Sequence, residues 1–147
     1  MLLMTEKYMT GIRELDMQHQ QLFVFANALE EEIKKGATPA TIKKAIGFME
    51  RYTVEHFQYE EMCMHGASCP ETEMNKKAHA EFILELKRMD IKWDGGKGDQ
   101  ETLIQLHKFV EFWLDAHILK VDSKLKGCVA YTHDKTVKNS SVPDAIL

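Results

Sequence analysis

Residues 15–36 read LDMQHQQLFVFANALEEEIKKG, and this stretch decides the fold. Leu15, Leu22, Phe25, Ala26, Leu29 and Ile33 recur three and four apart, which is the apolar stripe of an amphipathic helix. Asp16 reads as its N-cap, and Gly36 after Lys34 and Lys35 as its C-terminal stop. The triplet Glu30, Glu31, Glu32 ahead of Lys34 and Lys35 reads as a solvated face with charges ordered to suit the helix dipole. Three further stretches repeat the pattern. Thr38-Pro39 starts a second helix, threonine as cap and proline at the first helical position. It continues through Ile42, Ile46, Met49, Thr53, Phe57 and Met64 to Gly66. A third starts at Ser68-Cys69-Pro70 and carries Met74, Ala78, Phe82, Leu86, Met89 and Trp93. After the break at Gly95-Gly96-Lys97-Gly98, Asp99 caps a fourth with Leu103, Leu106, Val110, Trp113, Leu114, Val121 and Leu125, ending near Gly127.

No stretch alternates with period two over a strand's length, so the fold class is all-α. Four amphipathic helices of about 20–27 residues on short connections imply an antiparallel up-down-up-down four-helix bundle. An N-terminal arm, residues 1–15, precedes it. The expected division is a bundle over residues 1–126 and a polar C-terminal tail over 127–147.

Composition narrows the function classes. The chain has 147 residues, 44% of them hydrophobic, which suits one globular domain with a real core. Nineteen basic and 23 acidic residues leave a net charge of −4. That argues against nucleic acid or an anionic membrane as partner. No apolar run approaches the roughly 18 residues of a membrane span, and the first residues lack the pattern of a secretion signal. Three cysteines make no disulfide framework. The expectation is a cytoplasmic domain. The nine methionines read as filler of core gaps.

The informative residues interrupt the apolar stripes. His19 lies four after Leu15 and three before Leu22. His56 and Glu60, four apart, follow Met49 and Thr53 on one face of the second helix. His79 lies three before Phe82, and His117 four after Trp113. Any one stripe histidine reads most simply as a hydrogen-bonded core residue. Four helices each pointing one imidazole inward, with a carboxylate among them, read differently. An unpaired buried carboxylate costs several kcal/mol, and buried imidazoles need partners too; one metal centre satisfies them all. Imidazole and carboxylate without thiolate favour iron, manganese or zinc, and a four-helix core suits a dinuclear iron site. Cys63, His65 and Cys69 form a separate Cys-x-His-x3-Cys cluster, a weaker zinc candidate without a fourth ligand.

At these residues the chain resembles the hemerythrin family, in particular its bacterial hemerythrin-like domains, from about Tyr8 to Leu125. Gly11-Ile12-Arg13-Glu14-Leu15-Asp16-Met17-Gln18-His19 resembles the first-helix signature. Tyr52-Thr53-Val54-Glu55-His56-Phe57-Gln58-Tyr59-Glu60 resembles the second-helix histidine and bridging-glutamate motif. Phe112-Trp113-Leu114-Asp115-Ala116-His117-Ile118-Leu119-Lys120-Val121-Asp122 resembles the last motif, a histidine followed five later by a bridging aspartate. The resemblance implies two non-haem irons bridged by Glu60, Asp122 and an oxo or hydroxo group. It gives His19 and His56 to the oxygen-binding iron, and His79 and His117 to the other. It also implies a small apolar oxygen pocket walled by Phe57, Phe82, Trp113, Leu114 and Ile118, residues that otherwise read as plain core. Asp122 comes from the resemblance alone, because five residues turn about 140° round an ideal helix.

One position departs from the family pattern. Where the third helix normally carries two histidines four apart, Asn75-Lys76-Lys77-Ala78-His79 has asparagine first. An amide oxygen is a poorer ligand than imidazole, so one iron is left with two histidines. Water, hydroxide or the Asn75 carbonyl can fill the place; His107 is too far along its helix and His65 sits at a helix end. Three consequences stand open: a more redox-reactive centre, unchanged oxygen binding with weaker iron retention, or a degenerate site. The function implied is dioxygen binding for storage, delivery or sensing, with dioxygen or another small diatomic or anionic molecule as ligand. The alternatives are a di-iron enzyme acting on peroxide, oxygen or nitric oxide, and an iron-dependent sensory module.

Overall fold

The computed structural model describes residues 1–92, 100–120, 122 and 125. Four α-helices form an antiparallel bundle: α1 (Arg13–Lys35), α2 (Pro39–Gly66), α3 (Thr72–Lys92) and α4 (Gln100–Trp113). There is no strand among the described residues. α2 packs on α3, and α1 packs on both α4 and α2. The stripes that define the helices also make the core, in which Leu22, Phe25, Ala26, Leu29, Met49, Leu103 and Val110 are wholly buried.

The punctuation between α1 and α2 is as the sequence implies. Gly36 ends α1 at φ 83°, in the left-handed region where a side chain is strained. Thr38 caps α2, its Oγ1 accepting from Thr41 N–H at 3.3 Å, with Pro39 in the first turn. Gln100 ties the start of α4 to the same corner, donating to Ile33 O at 2.6 Å and accepting from Ala37 N–H at 2.7 Å. On α1 the charged face pairs along the helix, Lys34 with Glu31 at 3.0 Å and Lys35 with Glu32 at 3.3 Å.

Four expectations change. α1 begins at Arg13 and its N-cap position is Ile12. Asp16 instead folds back on the arm and accepts from Thr10 N–H, Thr10 Oγ1 and Gly11 N–H at 2.6, 2.9 and 3.2 Å. The arm is thus fastened at both ends, since the Asn27 amide brackets the backbone of Leu2. α3 starts at Thr72, later than expected, because the reversal after Gly66 takes Ser68 to φ 52°, outside the helical region. Its first residue is held by Thr72 Oγ1 donating to Cys69 O at 2.6 Å. The fourth helix is not α-helical throughout: Leu114–Leu119 is a π-helix continuing α4. The methionines are also less internal than expected. Met49, Met64 and Met89 are buried, whereas Met1, Met9, Met62 and Met74 are exposed. The readings made at Trp93, Gly95 to Gly98, Asp99, Val121 and residues 127–147 lie outside the described residues.

Candidate metal centre

Each helix delivers its histidine to the bundle interior. His19, His56, His79 and His117 are at most 4% exposed, and Glu60 and Asp122 are fully buried. They form two groups whose donor atoms all lie within 4.8 Å of one another: His19, His56, Glu60 and Asp122, and Glu60, His79, His117 and Asp122. The two carboxylates belong to both groups. In the first, Glu60 Oε2 lies 3.3 Å from His56 Nε2 and 3.7 Å from His19 Nε2, while Asp122 Oδ2 is 3.3 Å from His19 Nε2. In the second, His79 Nε2 is 3.1 Å from Glu60 Oε1 and His117 Nε2 is 3.1 Å from Asp122 Oδ1.

The backbone around His117 departs from α-helical geometry: Leu114–Leu119 is a π-helix, and Lys120 N–H then turns back to His117 O ahead of Asp122. Local sequence pattern carries no signature of that turn, because apolar periodicity is read against 3.6 residues per turn.

Further side chains set the imidazoles. His56 Nδ1 donates to Gln18 Oε1 at 2.6 Å, and Tyr52 Oη donates to Gln18 O at 2.9 Å. His79 Nδ1 donates to Glu61 Oε1 at 2.9 Å. In each case the outer nitrogen is engaged and Nε2 is left to face the cluster. Sequence reasoning missed Gln18 and Glu61; both adjoin a centre residue in the chain but lie off the apolar stripe. Aromatic rings fix the imidazole planes. Phe57 lies parallel to His79 at 3.9 Å, and Trp113 lies against His117 at 3.8 Å. Phe82 meets both Phe57 and Trp113. All three rings, with Leu114 and Ile118, are buried.

Electrostatics reflect the crowding. Burial pushes the Glu60 carboxyl upward, but the imidazoles of His19, His56 and His79 outweigh it and hold the group well below the usual carboxylate range. Burial pulls His19 down, yet the close carboxylates of Asp122 and Glu60 raise it to about 9. His79 is raised as well, burial being outweighed by Glu60 and Glu61. His56 is lowered, chiefly by burial.

These residues fit a bound metal pair. Buried and without a hydrogen-bond partner are the Nε2 atoms of His19, His56, His79 and His117, Glu60 Oε2, and both oxygens of Asp122. Their neighbours are close but misaligned for hydrogen bonding, as expected of lone pairs aimed at a common point. Two donors each about 2.1 Å from one ion, at octahedral to tetrahedral angles, lie about 3.0–3.4 Å apart. Cys63, His65 and Cys69 do not assemble such a group among the described residues; His65 is exposed and Cys69 is buried. His107 faces Glu111 at 3.7 Å, away from the centre.

A four-helix bundle whose core holds two overlapping imidazole and carboxylate groups has a donor set that could hold metal ions. Comparison with known proteins names the family: residues 10–129 match the hemerythrin HHE cation binding domain. The chain belongs to the hemerythrin family, and that domain implies a di-iron site. It is 28% identical to the bacteriohemerythrin of Pseudomonas paraeruginosa over 134 residues, 90% of this chain and 84% of that protein. It is also 28% identical to the bacteriohemerythrin of Methylococcus capsulatus, covering 82% of this chain and 90% of that one. A crystal structure of wild-type hemerythrin superposes with a TM-score of 0.77 at 25% identity, over 88% of this chain and 98% of that chain. No described helix is long and apolar enough to cross a membrane.

Proposed function

We propose that the chain is a dioxygen-binding non-haem di-iron protein serving oxygen storage, delivery or sensing. His19 and His56 hold one iron and His79 and His117 the other, with Glu60 and Asp122 shared between them. The observation that carries this reading is the sharing of both carboxylates by two otherwise separate histidine pairs. A bound iron pair supplies the redox-active centre to which dioxygen binds. The protein orients the imidazoles through Gln18 and Glu61 and excludes water with Phe57, Phe82, Trp113, Leu114 and Ile118, all buried around the centre. Dry walls slow the entry of water and protons into a site of this kind.

Asn75 favours a second reading. With asparagine in this place the His79 and His117 position has two imidazoles, and an extra exchangeable position suits redox turnover of peroxide, oxygen or nitric oxide. The test is the optical spectrum of anaerobically iron-loaded protein as oxygen is admitted and withdrawn. A charge-transfer band that comes and goes with oxygen is the result for a carrier or sensor. A band that decays to a ferric spectrum and does not return, with peroxide consumed on addition, supports the enzyme. Asn75→His restores the third imidazole and slows the irreversible decay; an unchanged rate contradicts this account of the departure.

A further inference from the structure

Asn75 lies in the first turn of α3 and is 1% exposed. Its Nδ2 donates to Glu60 Oε1 at 2.6 Å and to Met64 Sδ at 2.8 Å, while its Oδ1 has no partner. A primary amide carries two N–H protons, and these contacts use both. Turning the amide over would set its oxygen against a carboxylate oxygen and a thioether sulfur, with no proton between either pair. Two independent neighbours therefore select the same face. Met64 is itself 1% exposed and comes from α2, the helix that carries Glu60 one turn earlier. The carboxylate and the sulfur thus arrive together from one rigid element.

Resting on the di-iron reading above, we propose that Asn75 is not a metal ligand but a positioning residue, whose amide N–H fixes the Glu60 carboxylate while Met64 sulfur latches the nitrogen inward. The oxygen it holds, Oε1, is the one beside His79, 3.1 Å from Nε2. Loss of an imidazole at this position is thus accompanied by a donor to the shared carboxylate, and both metal positions present the same protein donors: two imidazoles, Glu60 and Asp122. Besides the Asn75 donor, the positions differ behind the imidazoles, with Gln18 at His56 and Glu61 at His79.

The test is the side-chain amide pair of Asn75 in the ¹H–¹⁵N spectrum of the full chain, metal-free and loaded with Zn²⁺, which is diamagnetic. The pair is assigned by its loss in Asn75→Asp and confirmed through Met64→Leu, a volume-conserving change that cores tolerate. Both protons are expected downfield and slow to exchange in the metal-free protein. Met64→Leu should move one and leave the other; Glu60→Gln should move the other. Zn²⁺ should leave the pair downfield and slow. A pair that returns to ordinary shifts on Zn²⁺ binding, or ignores Met64→Leu, overturns the proposal. The same sample reads the metal count separately. Fewer than two Zn²⁺ per chain removes the di-metal reading, whereas the metal-free pair still decides whether Asn75 is latched.

Discussion

Removing the metal should destabilise this fold far more than an ordinary surface change. Seven buried donor atoms facing the centre lack hydrogen-bond partners without it, and each unsatisfied buried polar group costs about 1–3 kcal/mol. Total stabilities of domains are only about 5–15 kcal/mol, so the metal-free state must relax or protonate to survive. The loaded state gains by linkage: at free metal one hundred times the dissociation constant, each ion adds about 2.7 kcal/mol, so a pair adds about 5.4 kcal/mol. For a chain of 147 residues, a shift of about 2–4 °C per kcal/mol gives a melting temperature raised by roughly 10–20 °C. Calorimetry of chelated and Fe²⁺- or Zn²⁺-loaded protein, under argon, measures it directly. The rise should grow with metal concentration and collapse in Glu60→Ala, which removes one of the two carboxylates common to both groups. A melting temperature indifferent to saturating metal, or a full rise in Glu60→Ala, would refute the reasoning.

Other outcomes follow from the same geometry. In the metal-free protein His19 is raised to about 9 from an ordinary 6.5 and His79 is raised as well. Stability from these protons is complete below pH 6.5 and lost as pH rises through the folded values. Denaturant melts should show the metal-free protein weaker at pH 9.5 than at 6.5, and His19→Gln should flatten most of that slope. Phe25→Ala empties a fully buried site stacked on Phe48 at 4.5 Å and should cost about 3–5 kcal/mol in urea unfolding, with the metal count unchanged. Asp16→Ala removes three hydrogen bonds from the arm. Hydrogen exchange of residues 1–12 should accelerate while the α2 core stays protected. Gln18→Ala or Glu61→Ala frees one imidazole from its outer partner. Each should weaken Zn²⁺ binding about 10–100-fold in competition with a chelator, and affinity within twofold of the native chain would contradict the orienting role.

Most of the bundle was legible because its helices obey one period and end at residues with a backbone reason to be there. Gly36 needs its positive φ, and Thr38-Pro39 combines a cap with a preset dihedral. The four stripe histidines and Glu60 were legible because a buried polar residue on an apolar face needs a partner, and all five are buried. Asp122 was illegible to periodicity because the π-helix at Leu114–Leu119, which ends three residues before it, takes the chain out of the α-helical period. Asp16 looked like a helix cap because caps and arm clasps use the same residue type and lie within a turn of each other. Gln18 and Glu61 act across helix interfaces, and their partners His56 and His79 are 38 and 18 residues away. The role of Asn75 depends on Met64 and Glu60 eleven and fifteen residues before it, contacts that a linear motif cannot express.

The most direct test of the central claim is the iron content and Mössbauer spectrum of the chain reconstituted with ⁵⁷Fe²⁺ and then oxidised. Two irons per chain, exchange-coupled to a diamagnetic ground state, is the result that follows from two histidine pairs sharing Glu60 and Asp122. One iron per chain, or two irons with independent magnetic spectra, would contradict it.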